Sequence, residues 1–192
     1  MTTNNTGIAI KPEGYFNWVP FFTELLSVIC EQYDKKSLKG VFHSLQLDAF
    51  ENCDYMDPLT FIAYFNIGGD ERRINLCRRV KDLLGLKSDV PKYFLGIPVF
   101  DNRNPIFFKN YSHFGMEGAL DVLWKFAKEL NAGTLSAATF NDCIALNGIG
   151  LVKLSQFIFI VCAKDYFPCD AYTRKYLNIQ TDGSGASILF KN

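Results

Sequence analysis

The chain has 192 residues, with 20 basic and 20 acidic side chains, 48% hydrophobic residues and 15% aromatic residues. That apolar content supports a real core in one domain or two small ones, and the zero net charge argues mildly against a chain that binds polyanions by bulk charge. The balance is uneven: residues 1–57 carry 4 basic and 8 acidic side chains, while Glu71–Lys92 carries 7 basic and 3 acidic ones.

Cys30, Cys53, Cys77, Cys143, Cys162 and Cys169 are scattered singly, without a Cys-x-x-Cys pair. The spacing suits neither a zinc site nor an iron–sulfur loop, so no metal and no cofactor is expected. Isolated cysteines in apolar runs behave as small hydrophobes and fit a reducing compartment. The N-terminus lacks the regions of a signal peptide, and the best apolar run, Phe157–Ala163, is far short of a bilayer span. The expectation is a cytoplasmic protein with no membrane partner.

Residues 1–14 read as a loose polar segment punctuated by Pro12 and Gly14. The spacing of Trp18, Phe21, Phe22, Leu25, Leu26 and Ile29 predicts a helix over 18–33, followed by a shorter one over about 36–46. Asp57-Pro58 opens the next, an N-cap followed by proline at the first helical position, and Gly68-Gly69 ends it. A basic helix is predicted over 70–84 with Ile74, Cys77, Val80 and Leu84 inward. Residues 88–110 are irregular, broken by Pro91, Gly96, Pro98 and Pro105. Three helices follow, over 118–130, from Ser136 or Thr139 to about 146, and over 151–163. Pro168 and Asp170 start a last short helix through Tyr176, and Asp182-Gly183 marks a small β-hairpin within 179–190. The domain reading is therefore 1–14 loose and 15–192 a single, mostly α, helical domain, with a two-lobe division at about 15–115 and 116–177 as the alternative.

Between the sixth and seventh predicted helices stands Leu146-Asn147-Gly148-Ile149-Gly150-Leu151, and Asp170 lies 22 residues after Gly148. Glycines in such a turn let backbone approach a ligand closely, and the following helix start favours an anion such as a DNA phosphate. This arrangement resembles the helix-hairpin-helix DNA glycosylases, which have Leu-Pro-Gly-Val-Gly and, downstream, an aspartate in a Val-Asp-Thr-His type segment. Asn17-Trp18-Val19-Pro20-Phe21-Phe22, Pro58-Leu59-Thr60, Phe65-Asn66 and Gly96-Ile97-Pro98-Val99 are, in addition, similar to the N-terminal region of McrB-like restriction ATPases. No Gly-x-x-x-x-Gly-Lys loop is present, so the ATPase motor is not part of the likeness.

The resemblance implies a compact fold of helix-hairpin-helix glycosylase type and a hydrolase of N-glycosidic bonds that excises a modified base from double-stranded DNA. The restriction-system likeness extends this to hypermodified phage cytosine and phage defence. Asp170 matches the family carboxylate, and its bland alternative is a helix N-cap. Bifunctional members carry a lysine two residues after the second glycine; here that position is Val152, with Lys153 one place later, so a monofunctional enzyme using water is implied. Gly148, Gly150, Lys153, Arg174 and Lys175 are the DNA-backbone candidates; the glycines have a plain helix connection as their alternative, and Leu146, the following helix and Asp170 together favour phosphate binding. Trp18, Tyr64, Asn66, Phe100, Asp101 and Asn102 are the base-pocket candidates, each aromatic having a core alternative. His43 and His113 form no paired site. Two other functions stay open: a non-catalytic module recognising modified DNA, and a helical protein-interaction domain.

Overall fold

The computed structural model describes residues 15–47, 54–98, 118–146 and 148–178. The N-terminal segment, the tail hairpin expected within 179–190, and Phe100, Asp101 and Asn102 lie outside these. Among the described residues there are eight helices and no strand. They are α1 (Val19–Gln32), α2 (Lys35–Ser44), α3 (Pro58–Phe65), α4 (Asp70–Leu84), α5 (Ala119–Asn131), α6 (Ala137–Ile144), α7 (Leu151–Cys162) and α8 (Ala171–Tyr176). None of them is long and apolar enough to cross a membrane.

Side-chain caps set four of the eight starts. Asp34 closes a capping box with Ser37 at α2. Buried Asp57 accepts the Thr60 amide at 2.8 Å with Pro58 in the first turn of α3, as the Asp-Pro pair requires. Ser136, rather than Thr139, caps α6 by accepting the Thr139 amide at 3.1 Å. Gly85 ends α4 in the left-handed conformation, with φ +68°.

Helix α1 is the hub, packing against α7, α5 and α3. Its face of Phe21, Phe22, Leu25, Leu26 and Ile29 is buried in one core with residues from α2 to α7. Phe22 meets Phe65 edge-on at 6.3 Å, and Phe61 and Phe65 lie 5.5 Å apart. Such pairs add about 0.5–1.5 kcal/mol to the area they bury. The Thr23 hydroxyl donates to the Val161 carbonyl at 2.6 Å, binding α1 to the end of α7.

Helix α4 departs from expectation in rotation. Cys77 and Val80 are buried as predicted, but Leu76 and Arg73 share that face, while Ile74 and Leu84 are only partly covered. The cause is the Arg73 guanidinium. It donates to the Asn66 carbonyl at 3.1 Å and to Asp70 at 3.0 Å, and lies over the Phe94 ring at 5.6 Å. A charge held by three partners is retained inside, and the helix turns to keep it there.

Candidate functional site: the α6–α7 turn and Asp170

The connection from α6 to α7 is built around one buried residue between two exposed ones. Leu146 and Ile149 are buried, Gly148 and Gly150 exposed. The Ile149 amide donates to the Leu146 carbonyl at 3.1 Å, closing the turn. Gly148 sits at φ +83°, where any side chain is strained, so glycine is needed there for conformation. Gly150 sits at φ −104° and ψ 166°, extended backbone that any residue adopts. A Cβ at Gly150 would meet nothing within 4 Å. Its glycine is thus not demanded by the fold itself.

Gly150 is the N-cap of α7, and no side chain caps that helix among the described residues. The Leu151 and Val152 amides stand at the positive end of a 12-residue helix, where an anionic acceptor is favoured. The Lys153 ammonium folds back to within 3.5 Å of the Gly148 carbonyl and so sits over the turn. Val152 is 37% exposed at the same corner.

Asp170 reaches this corner through its neighbour. Cys169 is fully buried, and its amide donates to the Ser155 hydroxyl at 2.8 Å. Ser155 is itself buried and donates to the Val152 carbonyl at 3.0 Å. The chain entering α8 is therefore seated on the first turn of α7, next to the glycines. Burial pushes the Cys169 thiol up, against the Ser155 hydroxyl and Arg174, with Asp170 adding to the rise.

Asp170 is half-buried, and one carboxylate oxygen accepts the Thr173 amide at 2.8 Å. It is the N-cap of α8, so that reading of the sequence holds. The second oxygen takes no hydrogen bond among the described residues and remains available. Arg174 folds its Nε to 3.4 Å from the Asp170 carbonyl, and Lys175 is exposed. Arg174 and Lys175 follow Asp170 on α8, and Lys153 lies over the turn, so basic side chains accompany both parts of the corner.

The other sequence candidates lie elsewhere. Trp18 is fully buried, edge-on to Phe16 and Phe159 at 5.9 Å each, and its indole donates to the Leu95 carbonyl at 3.0 Å. In this conformation its ring presents no face to a ligand. Asn66 is buried and its side-chain amide donates to the Pro98 carbonyl; its side-chain oxygen Oδ1 has no hydrogen-bond partner among the described residues. Tyr64 is half-buried beneath the Arg72 guanidinium at 5.1 Å. Trp18 and Asn66 both grip the 95–98 stretch, which leads towards Phe100, Asp101 and Asn102. No cluster of His, Cys, Asp and Glu suited to a metal occurs among the described residues.

Sequence reasoning passed over Ser155 and Arg73. Ser155 carries a visible signal: a lone hydroxyl among Leu154, Phe157 and Ile158, all buried. A polar side chain at such a position must find a partner inside. Arg73 resembles its exposed neighbours in the charged helix, and nothing local marks it out.

No curated protein and no solved structure matches the chain. A family model described as a domain of unknown function, DUF8425, matches residues 18–184, a span that contains all eight helices, the glycine turn and Asp170. The chain belongs to the DUF8425 family.

Proposed function

We propose that this protein is a monofunctional DNA N-glycosylase of helix-hairpin-helix type, acting on a modified base in double-stranded DNA. The observation that carries the reading is the seating of Asp170. An accessible carboxylate, with one oxygen uncommitted, is held by the Cys169–Ser155 hydrogen bond beside an uncapped helix start and an exposed glycine turn.

The turn would take a DNA phosphate on the Leu151 and Val152 amides, with Lys153 and Lys175 alongside. Such contacts position the duplex without reading its sequence. The target base must leave the stack at a cost of a few kcal/mol. As the bond from C1′ to the base nitrogen breaks, its electron pair departs with the base and the sugar gains positive charge. The free Asp170 oxygen stabilises that charge and takes a proton from the water whose oxygen attacks C1′. With Val152 where bifunctional members place lysine, no amine attack is available at that position, and the product is an abasic site. The restriction-system likeness points to hypermodified phage cytosine as the base and phage defence as the setting.

The test uses purified protein on normal and phage-modified duplexes, followed by alkali to cut abasic sites. Asp170→Asn keeps a capping side chain while removing the charge, so the protein folds as before. Cutting of modified DNA is expected to fall on the order of 100-fold or more in this variant. Equal cutting by both proteins refutes the catalytic role. Tight binding to modified DNA without abasic sites identifies the second reading, a non-catalytic recognition module, which the missing lysine also favours.

A further inference from the structure

Helix α8 buries none of its residues, and its two tyrosines are the most exposed large hydrophobic side chains described: Tyr172 is 87% and Tyr176 90% accessible. They stand four residues apart, on one face of the helix, separated by a rise of roughly 6 Å. A tyrosine normally covers much of its ring, so two left open together call for a surface to cover them. The charge around them is positive: Lys175 lies exposed between them in sequence, with Arg174 beside it. The helix begins at Asp170, which the Cys169–Ser155 bond seats on the first turn of α7.

We infer that Tyr172 and Tyr176 form a stacking platform for unpaired bases of a DNA strand held at the α6–α7 turn. This deepens the DNA-binding reading above and rests on it. Aromatic faces interleaved with basic groups are the chemistry that holds single-stranded nucleic acid, because every base offers a flat face and every nucleotide a phosphate. A platform so placed would hold the strand open where a base is withdrawn from the duplex.

The test measures fluorescence anisotropy with a labelled thymidine single strand of about 16 nucleotides and with a fully paired duplex of the same length. The paired Tyr172→Ala and Tyr176→Ala substitution is expected to weaken single-strand binding about tenfold or more, while duplex binding changes less than about threefold. The corresponding pair of Tyr→Phe substitutions keeps the rings and retains wild-type binding to both. Both positions are on the surface, so unchanged circular dichroism verifies the fold. If the alanine pair binds the single strand like the wild type while Gly150→Ala weakens duplex binding, the platform is refuted and the DNA reading survives. If the wild type binds neither probe at about 100 µM, both fail together. Dissociation of a wild-type dimer by the alanine pair in size-exclusion chromatography overturns the platform in favour of contact between two copies.

Discussion

Replacing Ser155 by alanine tests the joint that seats Asp170. The hydroxyl does two things: it accepts the Cys169 amide at 2.8 Å and donates to the Val152 carbonyl at 3.0 Å. The second loss is small, because that carbonyl belongs to a helix and keeps its place there. The first leaves a buried amide without a partner, at about 1–3 kcal/mol. Spread over the whole fold, each kcal/mol would lower Tm by about 2–4 °C in a chain of this size. But α8 buries no residue, so little else holds the segment down. Detachment of residues around Cys169 relieves the unpaired amide before the core gives way. The expected signature is therefore local. Hydrogen exchange at Cys169 and through α8 rises about tenfold or more (1.4 kcal/mol per tenfold), Tm falls by less than about 4 °C, and cutting of modified DNA drops although Asp170 is untouched. Cys169→Ala keeps the amide and its acceptor, and leaves exchange near the wild-type rate. Unaltered protection at Cys169 in Ser155→Ala refutes the reasoning, since the hydroxyl would then not be what anchors the segment.

Two further perturbations separate conformation from contact and charge from packing. Gly148→Ala costs roughly 1–2 kcal/mol because of its φ of +83°, visible as a lower Tm. Gly150→Ala, in extended backbone with open space around its Cβ position, leaves Tm unchanged or slightly raised but weakens duplex binding, because the methyl stands where a phosphate would approach. Burial alone would raise the Glu24 carboxyl; the Ser88 hydroxyl and the Lys87 and Ser88 amides, with Lys81 nearby, outweigh it and hold it below its usual 4.5. A lowered folded-state value means stability that is present above about pH 4.5 and lost as pH falls through the lowered one. Thermal melts of Glu24→Gln between neutral pH and pH 3 should show lower stability at neutral pH and a flatter acid limb than the wild type.

Local chemistry made the helices readable. Asp57-Pro58 and Asp170 announced two starts because an N-cap acts within four residues, Ser136 shared a third with Thr139, and the apolar period of α1 named its buried face. The glycine turn was legible for the same reason: Gly148 needs its left-handed backbone wherever the rest of the chain lies. What failed to show was anything decided across distance. The rotation of α4 follows from a guanidinium meeting Phe94 and the Asn66 carbonyl, and no periodicity encodes that meeting. Trp18 could be read as a ligand face or as core; only its bond to Leu95 and its edge-on contacts with Phe16 and Phe159 place it inside. Ser155 was legible as an anomaly, but its partner Cys169 was not, since the two are joined through the fold rather than the sequence.

The pairing of α1 with α7 bears on how the protein is made. The hydroxyl of Thr23 waits for the carbonyl of Val161, 138 positions later, and the apolar face of α1 waits for the same helix to pack on it. A ribosome-bound chain that has not yet released α7 holds a greasy first helix with part of its berth missing, and contacts so distant in sequence form slowly. Fragments cut short before residue 161 are thus expected to clump or recruit chaperones, whereas a separately supplied piece carrying α7 should restore their solubility.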